Sequence, residues 1–100
     1  MQKYAFLDRD GTLIKEWGRD EHNVTCPPKS VDEVVFMDGA IDSLRELSKQ
    51  GYKLVLATNQ SYLGTPRNPQ DTYDEVMEYF YSELQKHGIT FDTVWFVRTL

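Results

Sequence analysis

The sequence predicts an α/β fold in which helices pack on a parallel β-sheet, and three observations support this prediction. Short β-rich segments alternate with helical patterns in the order β-α-β-α-β. The segments 53–57 and 93–97 are continuously apolar after their first residues, as expected for strands covered by helices on both faces. Both helical patterns end at a glycine. We therefore expect a three-layer sandwich in which all 100 residues belong to one domain.

The first strand is predicted at Lys3–Leu7, directly before a cluster of polar residues. A long polar excursion follows over residues 15–38, where Pro27 and Pro28 exclude a helix. We expect this excursion to be irregular.

Two amphipathic helices are predicted, over residues 41–50 and 72–87. The apolar stripes comprise Ile41, Leu44 and Leu47 in the first helix and Tyr73, Val76, Met77, Phe80 and Leu84 in the second. Asp71 is placed to cap the second helix at its N-terminus. Gly51 and Gly88 are expected to end the two helices in the left-handed conformation that glycine adopts most readily. Right-handed crossovers between the strands then bring the carboxyl ends of all three strands to one edge of the sheet.

Composition narrows the classes of function. The formal net charge is −5 and no run of Lys or Arg offers a basic surface, which argues against a nucleic-acid partner. The longest apolar runs are too short to cross a membrane, and no secretory signal is present, so a cytoplasmic location is expected. The single cysteine, Cys26, is interpreted as a loop thiol. An acidic protein that handles phosphate needs local positive charge, which a divalent cation can supply.

The first candidate site follows the first strand. Asp8 and Asp10 are two residues apart, so that on an extended chain both carboxylates point to the same side. Two such charges require a cation between them or a retained proton, and Mg²⁺ bound by carboxylates, water and phosphate oxygens meets that requirement. Gly11 allows the backbone to turn sharply and lets an anion approach the amides. The alternative, a simple Asp-Gly turn, remains open.

A second candidate site follows the second predicted strand. Thr58 can donate a hydrogen bond to a phosphoryl oxygen, and Asn59 and Gln60 can donate to or accept from neighbouring substrate groups. Because parallel strands place their carboxyl ends at one edge, these residues are expected beside Asp8.

The two segments 6–14 and 57–60 together resemble the haloacid dehalogenase superfamily of phosphatases, which use an aspartate nucleophile. Within it, the sequence is most similar to histidinol-phosphate phosphatase, and heptose-bisphosphate phosphatases share both motifs. The resemblance implies a Rossmann-like parallel sheet and hydrolysis of a small phosphorylated metabolite, L-histidinol phosphate before a heptose bisphosphate. The phosphatase half of a DNA-end repair enzyme shares the segment 58–60, but the acidic balance disfavours it.

The same resemblance implies roles for individual residues. Asp8 is the nucleophile, Asp10 is the general acid and base, and Mg²⁺ binds the Asp8 carboxylate and the Asp10 backbone carbonyl. The phosphate and substrate contacts implied are Arg9, Gly11, Glu16, Thr58, Asn59 and Gln60.

The sequence also departs from the superfamily pattern. A phosphate-steadying lysine, a distal pair of aspartates and the zinc ligands found in some relatives have no counterpart within residues 1–100. We therefore expect the chain to be the N-terminal part of one phosphatase domain, truncated after the third strand. Its activity on its own is expected to be low. The first strand would have an unpaired edge, which favours self-association. A non-catalytic remnant that binds phosphate or a partner is the alternative.

Overall fold

A computed structural model describes residues 1–19, 25–59, 64–66 and 69–97 of the chain. Three strands form a parallel sheet in the order β1, β4, β5, in which β1 is Lys3–Leu7, β4 is Tyr52–Asn59 and β5 is Thr93–Val97. The predicted β-α-β-α-β order is confirmed. β4 runs two residues further than predicted, because Thr58 and Asn59 still pair with β5.

The excursion after β1 is more regular than the sequence predicts. Two short antiparallel strands, β2 (Trp17–Arg19) and β3 (Thr25–Cys26), form a hairpin, and a 3₁₀ turn follows at Val31–Glu33. The indole Nε1 of Trp17 donates a 2.7 Å hydrogen bond to the carbonyl of Glu33. This hydrogen bond connects the hairpin to the 3₁₀ turn. Because its two residues are distant in the sequence, no local sequence pattern predicts it.

The two helices lie where the sequence places them, but one predicted cap is wrong. Helix α1 is Ala40–Lys49 and helix α2 is Gln70–Gln85. Pro69, with an extended backbone, occupies the N-cap position of α2, and Asp71 lies in the first turn without capping it. Proline cannot donate a hydrogen bond, so the helix can begin directly after it without losing a bonded amide. The acidic Asp71 still complements the positive end of the helix dipole.

The core lies on one face of the sheet. Ala5 and Leu7 of β1 pair in register with Leu54 and Leu56 of β4. These four side chains pack in the same cluster as the buried side chains of both helices, among them Leu44 of α1 and Val76, Phe80 and Leu84 of α2. Within the described residues the helices therefore form a single layer, and the predicted covering of both faces is not seen there. Successive right-handed crossovers in one direction place both helices on the same side.

The other face of β1 is exposed. The side chains of Tyr4 and Phe6 are 50% and 56% exposed, and we call this pair the open face of β1. β1 also has a free edge among the described strands, because β4 is its only partner in the sheet. None of the described helices combines the length and apolar character needed to cross a membrane.

Candidate active site

The candidate site lies at the carboxyl end of β1, where the chain turns back on itself. The amides of Leu13 and Ile14 both donate to the carbonyl of Arg9 at 3.0 Å, and the amide of Gly11 donates to the carbonyl of Ile14 at 2.8 Å. We call residues 8–14, closed by these bonds, the site loop. Its first residue, Asp8, directly follows Leu7, which pairs with Leu56. The register therefore places Asp8 at the same sheet edge as Thr58, two residues beyond Leu56.

Asp8 is exposed at the end of β1, although neighbouring atoms exclude water from part of its carboxylate. The backbone amide of Arg9 donates a 2.8 Å hydrogen bond to Asp8 Oδ1. Partial burial is the main effect on Asp8 and raises its pKa, and the charges of Asp10 and Glu16 act in the same direction. The hydrogen bond from Arg9 and its guanidinium oppose this rise. Asp8 is therefore a solvent-exposed carboxylate with two other carboxylates, those of Asp10 and Glu16, close enough to raise its pKa.

Asp10 is held by the side chain of Arg9. Arg9 Nε donates to Asp10 Oδ1 at 3.1 Å, and Arg9 Nη2 donates to Asp10 Oδ2 at 2.9 Å. This is a bidentate ion pair in which the Arg9 side chain is 1% exposed and the Asp10 side chain 25%. The sequence predicts Arg9 as a phosphate contact. Its burial instead favours support of Asp10 from inside the fold.

Gly11 and Glu16 are in direct contact. Gly11 has a φ of +79°, and a Cβ atom at this position would overlap the carboxylate of Glu16. The predicted sharp turn at Gly11 is thus present, but its amide is bonded to Ile14 and its open side is filled by Glu16. Glu16 itself is exposed and close enough to Asp8 to affect its pKa. The structure therefore places Glu16 near the carboxylate of Asp8, and its predicted substrate contact stays a prediction.

The predicted residues after β4 have different outcomes. Thr58 is 2% exposed at the sheet edge that carries Asp8. Asn59 is the last residue of β4, which fixes the position of its backbone at this edge. Gln60 lies outside the described residues, so its predicted role stays a prediction.

Two oxygen atoms of the site loop fit a hard divalent cation. Among the described residues, Asp8 Oδ2 and the backbone carbonyl of Asp10 accept no hydrogen bond. No three Asp, Glu, His or Cys side chains converge into a metal site within the described parts of the chain. Mg²⁺ is commonly held by one or two carboxylates, water molecules and substrate phosphate. One carboxylate oxygen and one carbonyl oxygen suit such a site.

Sequence reasoning missed the support of the site loop by α2. Arg9 Nη1 lies 3.0 Å from Met77 Sδ, and the guanidinium carbon lies 5.6 Å from the ring centroid of Tyr73. Both residues belong to the apolar stripe of α2, which the sequence predicts only as core. The sequence shows only that Arg9 lies between two aspartates. No local sequence pattern indicates that its side chain is buried.

Comparisons with known proteins identify the family of this chain. The family model described as polynucleotide kinase 3 phosphatase matches residues 3–97. The D-glycero-beta-D-manno-heptose-1,7-bisphosphate 7-phosphatase of Haemophilus influenzae is 36% identical over 96 residues, which are 96% of this chain and 48% of that protein. The histidine biosynthesis bifunctional protein HisB of Buchnera aphidicola is 37% identical over 92 residues, which are 92% of this chain and 25% of that protein.

Solved structures show the same fold. The D,D-heptose 1,7-bisphosphate phosphatase of B. bronchiseptica, complexed with magnesium and phosphate, matches with a TM-score of 0.76 and 25% identity. That match covers 95% of this chain and 49% of that one. The chain thus spans about half the length of the first of these relatives and a quarter of the bifunctional one. Since the family model matches residues 3–97, the chain belongs to the polynucleotide kinase 3 phosphatase family, within the haloacid dehalogenase superfamily of phosphatases.

Proposed function

We propose that this chain carries the nucleophile and the general acid and base of a Mg²⁺-dependent phosphomonoester hydrolase. The observation that supports this best is the pair of carboxylates at the end of β1. Asp8 is exposed and has one oxygen free of hydrogen bonds from the described residues, whereas Asp10 is held in a bidentate ion pair beside it. The two groups differ in environment, as a nucleophile and a proton carrier should.

The chemistry proceeds in two steps. One oxygen of the Asp8 carboxylate attacks phosphorus, the bond from phosphorus to the ester oxygen breaks, and the carboxylic acid of Asp10 gives its proton to the leaving alcohol. The Asp10 carboxylate then takes a proton from water, which attacks the aspartyl-phosphate and releases inorganic phosphate and free Asp8. Thr58 at the neighbouring strand end donates to a phosphoryl oxygen. Mg²⁺, when bound, supplies positive charge to the phosphoryl oxygens.

Two substrates are supported by the relatives to the same degree. L-Histidinol phosphate follows from the similarity to the bifunctional histidine-biosynthesis protein, and a heptose 1,7-bisphosphate follows from the similarity to the Haemophilus phosphatase. Glu16, beside Asp8, would suit the amine of histidinol phosphate through charge. A polynucleotide 3′-phosphate is disfavoured by the net charge of −5.

The test is phosphate release by the purified chain with Mg²⁺ from three substrates: L-histidinol phosphate, the heptose bisphosphate and a 3′-phosphorylated oligonucleotide. The same assay is run with the second half of the Haemophilus relative added as a separate chain. Asp8→Asn should abolish release, whereas Glu78→Gln, on the exposed side of α2, should leave it unchanged. An unchanged rate in Asp8→Asn would refute the nucleophile. Phosphate binding without any turnover would favour the non-catalytic alternative.

A further inference from the structure

We propose that Arg9 is a positioning residue that holds the carboxylate of Asp10 in place and connects it to helix α2. This inference rests on the proposed function of Asp10. It replaces the phosphate contact expected for Arg9 with a role carried out from the interior of the fold.

The guanidinium of Arg9 has partners on three sides. Nε and Nη2 bond both oxygens of Asp10, and Nη1 contacts Met77 Sδ. The ring of Tyr73 lies beside the guanidinium, with 5.6 Å from its centroid to the guanidinium carbon. A planar fork of donors that matches both carboxylate oxygens fixes the orientation of the carboxylate as well as its distance.

The donors of the Arg9 guanidinium are directed at protein partners and not at a substrate in this arrangement. The side chain is 1% exposed, among the largest fully buried side chains of the described residues. Reaching a phosphate would require Arg9 to leave Asp10, Met77 and Tyr73 together. The Asp10 side chain, by contrast, is 25% exposed and keeps a lone pair on each oxygen for proton exchange on its open side.

Arg9 also contacts the nucleophile, through its backbone. Its amide donates to Asp8 Oδ1, while its carbonyl accepts the bonds from Leu13 and Ile14 that close the site loop. A single residue therefore orients both carboxylates, one by its amide and one by its side chain. The distance between the two carboxylates follows from the geometry of Arg9.

The first test reads the ion pair directly, without any activity. In a ¹⁵N–¹H spectrum of the full chain, the Nε–H of Arg9 should exchange with solvent at least about tenfold more slowly than that of Arg45, whose side chain is 51% exposed. Asp10→Asn should shift the Arg9 signal and speed its exchange, whereas Asp42→Asn, beside Arg45, should leave the Arg9 signal unchanged. A fast Arg9 exchange rate that Asp10→Asn does not alter would overturn the inference.

The second test separates positioning from general damage to the fold. Arg9→Lys keeps the charge and loses the fork, so kcat/KM for an alkyl ester such as L-histidinol phosphate should fall by about 100-fold. For 4-nitrophenyl phosphate, whose leaving group needs no proton, kcat/KM should fall by less than about threefold. Arg45→Lys is the matched control and should change neither. Equal losses for both esters would overturn the positioning role.

The two tests also distinguish this inference from the proposed function. If Asp8→Asn leaves phosphate release unchanged, the nucleophile assignment fails, whatever the Arg9 signal shows. If Asp8→Asn abolishes release and Arg9→Lys affects both esters equally, only the positioning role fails.

Discussion

The carboxylate of Glu16 lies against the Cα of Gly11, in the space that a side chain at position 11 would fill. The site loop thus depends on this glycine in two ways. Its φ of +79° lies in the left-handed region, and its missing Cβ gives room to Glu16.

Gly11→Ala should destabilise the chain by more than the cost of its backbone conformation alone. Gly39 is the matched control, because it has a φ of +81° and open space around it among the described residues. Gly39→Ala should cost about 1–2 kcal/mol of unfolding free energy, the usual cost of the left-handed conformation, and Gly11→Ala should cost more. Adding Glu16→Ala should recover the difference in urea unfolding. Equal costs at both glycines would show that Glu16 does not fill this space in solution.

Asp8→Asn should raise the melting temperature at pH 7 in the absence of Mg²⁺. The pKa of Asp8 is raised in the fold, so the protonated form is favoured there and its stabilisation is lost as the pH rises through the folded-state pKa. Asparagine removes the charge and can still accept the bond from the Arg9 amide. The gain should shrink as the pH is lowered below the ordinary pKa of aspartate. Calorimetry at both pH values checks this, with Glu78→Gln as the control. A variant less stable than the parent at pH 7 would contradict it.

Thr58→Val should weaken phosphate handling while the fold survives. Valine has nearly the same shape as threonine, and Thr58 is 2% exposed, so the change removes mainly the hydroxyl. Loss of about 1.5–3 kcal/mol of hydrogen bonding to a charged group corresponds to a decrease of about tenfold or more in kcat/KM, or in phosphate affinity measured by ³¹P NMR. Thr58→Ser keeps the hydroxyl and should retain most of the function. Similar losses in both variants would point to packing instead.

The open face and free edge of β1 should promote self-association of the isolated chain. Tyr4 and Phe6 are half-exposed apolar side chains on a strand that has a free edge among the described strands. Sedimentation over a concentration series should show oligomers that Phe6→Thr reduces, because threonine keeps the strand propensity and removes apolar area. Val31→Thr, at an exposed apolar residue away from the sheet, is the control. A chain that stays monomeric at the highest concentration would refute this.

Periodicity in the sequence was sufficient to predict the sheet strands and both helices, because each apolar stripe reports directly on the buried face of its own element. Ile41, Leu44 and Leu47 do lie in or against the core, and Gly51 and Gly88 both have positive φ after their helices. The positions of the Asp8 and Asp10 carboxylates could be predicted because both residues directly follow the first strand and are close together in the sequence. Local patterns were enough wherever the relevant partners are close in the chain.

The remaining features depend on contacts between distant residues. The burial of Arg9 requires Tyr73 and Met77, more than sixty positions away. Both helices lie on one face because the two successive crossovers run in the same direction. The hairpin of β2 and β3 is connected to the 3₁₀ turn by the bond from Trp17 to Glu33. The sequence predicts Asp71 as the N-cap of α2 because its side chain can accept a hydrogen bond from the helix amides. The helix begins two positions earlier, with Pro69 as the N-cap.

The hydrogen bonds that close residues 8–14 on themselves also determine what can vary around them. Beyond Ile14, the chain leaves through a bridge to Phe36 and a bond from Met37 to Leu13, so the hairpin between them is an insertion anchored at its base. Its length and side chains can change while the anchor stays fixed. A change in the hairpin therefore need not displace the backbone that carries Asp8 and Asp10.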